Sequence, residues 1–181
     1  MKKRCVWVLM MVTIVLSGFS QTKTNWTIFN DTVVGVEFSL PTNTMRYDTL
    51  LTILYAAAID STEAVQVHIF KDATFSNSEP IFNEALIQED GDTLRAIAKL
   101  ILLASNSEIT ELFEVFTNGI RGLEMGLTYN TLQTDTAYHS FVRYYLIDGN
   151  FISFTCTGRQ TDLMRGIATK NEFFNSIIFE Q

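Results

Sequence analysis

The chain is poor in cysteine, in basic side chains and in long apolar runs, and each shortage removes a class of protein. Of its two cysteines, Cys5 sits in the N-terminal twenty residues and Cys156 is alone beyond them, so no disulfide can form within residues 21–181. Exported domains often rely on disulfides; this one must rely on its core. Lys and Arg number 13 against 20 Asp and Glu. Such a balance repels phosphate backbones and anionic lipid surfaces, so nucleic acid is a poor partner. Beyond residue 20, no stretch approaches the roughly 20 apolar residues that cross a bilayer. Leu100-Ile101-Leu102-Leu103-Ala104 is only a short run. Catalytic and ligand motifs are missing too. The chain has no Cys-x-x-Cys, His-x-His or His-Glu-x-x-His spacing for zinc. It has no Gly-x-Ser-x-Gly elbow. Gly119, Gly122 and Gly126 are spaced too widely for a dinucleotide loop. No cofactor or metal is therefore expected.

What is present begins at the N-terminus. Lys2, Lys3 and Arg4 precede an apolar run from Cys5 to Leu16 that only Thr13 interrupts, and Ser17-Gly18-Phe19-Ser20 follows. A charged start, an apolar centre and small residues at the minus-three and minus-one positions make a secretory signal peptide. Cleavage is expected between Ser20 and Gln21. The apolar run is too short for a membrane span. No cysteine follows it, which argues against a lipoprotein. Residues 21–181 then form a single domain, long enough to bury a sizeable core. It keeps all 20 acidic residues but loses three of the 13 basic ones. Fourteen Phe and six Tyr exclude a disordered chain. The expected location is the periplasm or the exterior.

Periodicity predicts strands at 33–40, 50–59 and 64–70. In the first, Val34, Val36, Phe38 and Leu40 share a face and Pro41 ends the run. Residues 42–48 read as a polar loop, and Asp60 to Glu63 as the connection of a hairpin. Helices are expected at 79–88 and 93–104. Residues 107–117 fit either period: Ile109, Leu112, Phe113 and Phe116 have helical spacing. Asn118-Gly119, however, is the favoured type I′ hairpin dipeptide and needs a strand on each side. A strand is therefore predicted there, paired with 122–129. Residues 138–147 and 151–157, rich in aromatic and β-branched side chains, form the clearest hairpin around Asp148-Gly149-Asn150. Asp162 can cap a helix running to about Phe174, and a short strand at 177–179 ends the chain. This order of elements argues for an α+β fold, an antiparallel sheet with helices packed on it.

Three segments carry a family likeness. Gly35-Val36-Glu37-Phe38-Ser39-Leu40-Pro41 resembles the opening strand of the PsbP-like superfamily. Arg143-Tyr144-Tyr145 with Asp148-Gly149-Asn150-Phe151 resembles its last large hairpin, and Phe173-Phe174-Asn175-Ser176-Ile177-Ile178-Phe179 its closing helix and strand. The resemblance implies an α/β/α sandwich around a central antiparallel sheet. It implies binding or assembly roles, and no functional residue can be carried over from it.

The candidate residues are few. Cys156 shares a strand face with Ile152 and Phe154, which suggests a buried and inert thiol. His68 and His139 are expected to face solvent or cap an edge. Glu89-Asp90-Gly91-Asp92 offers oxygen ligands but lacks the ladder of a calcium loop. Ser176 is expected to bond backbone where helix becomes strand. Arg46, Tyr47 and Asp48 are expected to be solvated. Tyr138, Phe141, Tyr144 and Tyr145 would form a partner surface if their hairpin has an open face, and core if helices cover both faces. The leading expectation is a non-enzymatic binding or assembly module with an envelope protein partner. The alternatives are a hydrolase or other enzyme whose site assembles only in the fold, and a carrier of a small apolar ligand.

Overall fold

The computed structural model describes residues 25–71, 92–105, 107–130 and 136–180. The expected helix at 79–88 and most of the acidic stretch at 89–92 lie outside them. Ten strands and two helices are described. They are β1 (Trp26–Asp31), β2 (Val36–Pro41), β3 (Met45–Asp48), β4 (Thr52–Ala58) and β5 (Glu63–Phe70). Helix α1 (Thr93–Ser105) is followed by β6 (Glu108–Thr117), β7 (Ile120–Asn130), β8 (Ala137–Ile147) and β9 (Asn150–Arg159). A single 3-10 turn (Gln160–Asp162) leads into helix α2 (Leu163–Asn175), and β10 (Ile178–Phe179) closes the chain.

The α+β expectation holds. Seven strands form one sheet in the order β3-β4-β5-β9-β8-β7-β6, every neighbouring pair antiparallel. The two aromatic hairpins form as predicted. Asn118 and Gly119 both take positive φ, 49° and 81°, the backbone a type I′ turn requires. The segment of ambiguous period is therefore a strand. The reading of 42–48 as a loop is corrected: Met45–Asp48 pairs with β4 along one edge of the sheet. All four of its residues are exposed, and Met45 and Tyr47 alternate with Arg46 and Asp48 over too short a run to read as a strand. The strand expected at 33–40 starts later, at Val36, because residues 32–35 form a turn that Gly35 closes with a φ of 60°.

A second sheet was not anticipated. β2 pairs with β1 and, across some 140 residues, with β10. This small sheet and α2 cover one face of the large sheet. Val36, Phe38 and Leu40 of β2 meet Val65, Val67 and Ile69 of β5, Ile152 and Phe154 of β9, and Phe173 of α2. The Phe38 and Phe154 rings meet edge to face at 5.7 Å. On the opposite face, α1 packs Leu94, Ile97 and Ala98 onto Leu123 and Met125 of β7 and Val142 and Tyr144 of β8. Both faces of the central strands are thus buried, which explains their dense aromatic content.

Candidate functional site

Among the described residues, three places depart from an apolar core or a solvated surface. The first lies beneath α2. Register places Glu63, Gly158, His139 and Thr128 side by side across β5, β9, β8 and β7. All four point toward the α2 face. Glu63 is 1% exposed and His139 2%, and Cys156 is fully buried. The imidazole occupies a slot between two glycines. A Cβ at Gly158 would stand 3.0 Å from the ring, and one at Gly166 of α2 would overlap Nε2 and lie 2.6 Å from Cε1. Neither ring nitrogen makes a hydrogen bond of good geometry. The expectation that His139 faces solvent is corrected: a strand position was read correctly, but α2 covers it.

Burial dominates the chemistry of this cluster. It pushes the Cys156 thiol far above its ordinary range, and the nearby Glu63 carboxylate adds to the effect. Burial also raises Glu63, against the Thr169 hydroxyl and the Arg165 guanidinium, whose Nε lies 3.2 Å from Glu63 Oε2. His139 is held below its ordinary value, again by burial. A thiol, an imidazole and a carboxyl therefore lie beneath one helix, with no hydrogen bond from either imidazole nitrogen to the other two groups. They are sealed from solvent, and Cys156 Sγ sits 4.0 Å from Glu63 Oε1, a weak contact at most. The inert reading of Cys156 is the one this setting supports.

His68 lies on the opposite face, half-buried and 4.0 Å from the Phe70 ring, centre to centre. Burial lowers its pKa to about 4. A histidine held neutral in the fold takes up a proton more readily when unfolded. Falling pH therefore favours the unfolded chain from about pH 6.5, the ordinary histidine value, down to the folded value. The stability of the wild-type chain should fall relative to His68→Gln as pH drops from 6.5 toward 4. Glu63 acts with the opposite sign but equally in both proteins. Urea midpoints across this range test the point, and parallel curves for the two proteins would contradict it.

The second place is a buried ion cluster. Glu124 of β7, 2% exposed, accepts hydrogen bonds from Arg143 Nε of β8 at 2.9 Å and from Lys170 Nζ of α2 at 3.0 Å. Arg143 also stacks over the Phe174 ring and Lys170 over the Phe141 ring. The cations thereby tie α2 to the sheet. The sequence reading missed this cluster, although an acidic residue between Gly122 and Gly126, on the face opposite Leu123 and Met125, was a readable signal.

The third place is the outer edge of the large sheet. Among the described residues β6 is the last strand on that side. Ile109 is 39% exposed, Leu112 39%, Phe113 42% and Phe116 68%. Register puts Ile109, Leu112 and Phe116 on the α1 face and Phe113 on the α2 face. A groove of about 290 Å³ runs beside Ile109 and Leu112, walled by Arg95, Ala98, Lys99 and Leu102 of α1. The strand's charged residues are all acidic: Glu108, Glu111 and Glu114. Arg121 bridges Glu114 at 2.9 Å and also contacts Asp92, and Arg95 lies 3.5 Å from Glu114. Asp92, from the acidic stretch, is thus an ion-pair partner for Arg121.

The remaining expectations can be placed. Phe141, Tyr144 and Tyr145 are buried, and Tyr138 is half-buried against Tyr129. Their reading as a partner surface is corrected for the three buried rings, because α1 and α2 cover the two faces of β8. Tyr145 donates or accepts a 2.6 Å hydrogen bond with Thr117. Ser176 meets its expectation: its hydroxyl donates to the Phe173 carbonyl and accepts from Ser39 N–H. Asp162 precedes α2 but makes no side-chain cap; its carboxylate lies 3.9 Å from Arg165. Gly122 is a close approach, since a Cβ there would meet the Tyr145 ring at 2.6 Å. Arg46 and Asp48 pair at 3.0 Å on exposed β3. No described helix is long and apolar enough to cross a membrane.

No family model matches the chain, and no curated protein matches it. Solved structures are similar to it. The solution structure of cyanobacterial PsbP (CyanoP) from Synechocystis superposes with a TM-score of 0.57 at 17% identity, covering 91% of this chain and 98% of that one. The Saccharomyces cerevisiae Ran-binding protein Mog1p gives a TM-score of 0.49 at 7% identity over 87% of this chain and 96% of that one. LpqN, involved in cell envelope biogenesis of Mycobacterium tuberculosis, gives 0.43 at 8% identity over 88% of this chain and 93% of that one. At such identities the likeness concerns fold and not activity. The chain has the PsbP-like fold.

Proposed function

We propose that this chain of PsbP-like fold is an exported, non-enzymatic binding or assembly module, and that its partner meets the β6 edge of the large sheet. The observation that carries the reading is the exposure of Ile109, Leu112, Phe113 and Phe116 along one strand. A long apolar edge is an aggregation hazard that sheets ordinarily blunt, and exposed apolar patches mark partner surfaces. Export rests on the Lys2-Lys3-Arg4 start and the apolar run behind it, with residues 21–181 as the working domain. The partner is then an envelope or extracellular protein. The enzyme reading would place its chemistry at Glu63, His139 and Cys156, which α2 seals. The carrier reading would use the groove beside α1, whose 290 Å³ lies just below the size of ordinary ligand pockets.

A photo-crosslinking residue at Phe116 tests the proposal in intact cells. The expected result is one reproducible crosslinked envelope protein, absent when the residue is placed instead at exposed Met164 on α2. Phe116→Ser should abolish capture by the tagged chain while shifting stability by less than about 0.5 kcal/mol, as for other exposed positions. Capture unchanged by Phe116→Ser would reject the edge as the partner surface.

A further inference from the structure

We infer that the β6 edge takes up an extended polypeptide segment as an eighth strand, and that the segment alternates apolar with Lys or Arg side chains. The inference rests on the binding-module reading and names the partner's chemistry. The backbone sets the docking points. Thr117 and Ile120 flank the two-residue Asn118-Gly119 turn, so they form a hydrogen-bonded pair. Alternation then turns the N–H and C=O groups of Phe116, Glu114 and Leu112 away from β7. The register shift between Ile109 and Glu111 ends the regular ladder just beyond them. Three consecutive outward units are enough to align a short strand by main-chain bonds, with side-chain pockets supplying selectivity. Ile109, Leu112 and Phe116 offer apolar contacts on one face and Phe113 on the other.

Charge decides between occupants. A second copy could pair β6 with β6 antiparallel. Outward residues stand opposite outward ones, so a pair centred on Glu114 sets that carboxylate against its own copy, and any other register still brings two acidic edges together. The strand carries Glu108, Glu111 and Glu114 and no basic residue of its own. An extended segment with Lys or Arg at alternate positions can set them on the α2 face, against Glu108 and Glu111, while its apolar residues meet Ile109, Leu112 and Phe116 on the α1 face. A partner strand of this kind is therefore favoured over self-association.

The test uses residues 21–181 and a fluorescent ten-residue peptide alternating Val and Lys, read by fluorescence anisotropy at physiological salt. Its controls are the same peptide alternating Val and Glu, and a Val-Lys peptide N-methylated at every second amide, which keeps the charge but cannot pair as a strand. Both should bind at least about tenfold more weakly, the equivalent of one or two lost hydrogen bonds. Leu112→Pro removes one outward N–H without touching the ladder to β7 and should weaken the Val-Lys peptide about tenfold more than Leu112→Ala does. If Leu112→Pro fails to fold, amide exchange on the wild-type chain decides: bound peptide should slow Leu112, Glu114 and Phe116. No binding, equal binding of the N-methylated peptide, or unchanged exchange at these amides overturns strand addition. So does a dimer in sedimentation that Leu112→Pro dissolves, because the occupant would then be a second copy. A specific crosslink at Phe116 alongside any of these outcomes leaves the binding module standing and removes only strand addition.

Discussion

Glu124→Ala is expected to cost the fold about 3–5 kcal/mol, the range for removing one partner of a buried ion pair. The carboxylate is 2% exposed and holds Arg143 and Lys170 together. Both cations are largely buried, each with 14% of its side chain exposed. Without the anion they face one another under α2. Glu111, 3.8 Å from Lys170, offers only partial relief. The loss appears because two charges stay desolvated, and not because the pair itself adds much stability. Glu124→Gln, which keeps the shape and one of the two acceptor oxygens, should lose less. Replacing Glu124, Arg143 and Lys170 together by apolar residues of similar size should recover much of the deficit. Urea unfolding followed by tyrosine and tryptophan fluorescence measures all three. A Glu124→Ala cost below about 1 kcal/mol, the level of an exposed pair, would show that water reaches the cluster.

Gly166→Ala is expected to destabilise by about 3 kcal/mol, at the upper end for overpacking a filled site. Alanine would ordinarily stabilise a helix relative to glycine by about 1 kcal/mol, so the sign itself is informative. The added methyl would overlap the His139 imidazole, which cannot retreat because Gly158 closes the slot from below. Helix α2 must then lift. The double variant Gly166→Ala with His139→Ala should be more stable than the sum of the single losses implies, since removing the ring makes room for the methyl. Such coupling is expected only between residues in contact. Additive losses would mean that the helix relaxes elsewhere and that the slot is not tight. Lifting α2 should also speed modification of the Cys156 thiol by a disulfide reagent active at neutral pH.

How much of this was readable depended on the range of each signal. Asn118-Gly119 settled an eleven-residue ambiguity, because a type I′ turn demands a strand on each side. The helical spacing of Ile109, Leu112, Phe113 and Phe116 had a different origin: an edge strand with apolar side chains on both faces imitates a helix period. β3 was missed because its alternation, Met45 and Tyr47 against Arg46 and Asp48, spans only four residues. The strand expected at 177–179 forms as β10, but the small sheet was missed because its partner β2 lies far away in sequence. His139 was read on the correct strand and given the wrong environment.

The sequence alone carried the expectations of export and of no disulfide within residues 21–181, and it determined the antiparallel hairpins and the burial of Cys156. Each of these rests on local pattern: a charged start before an apolar run, a residue count, turn dipeptides and period-two alternation. Tertiary structure decided which aromatic rings are core, that Glu63, His139 and Cys156 meet, and that Glu124 holds two cations beneath a helix. It also decided that β6 is the outermost strand on its side among the described residues. These depend on which element covers which face, and register across β5, β9, β8 and β7 joins residues nearly 100 positions apart. No local period encodes that pairing; it follows from how α1, α2 and the small sheet share the two sides of one sheet.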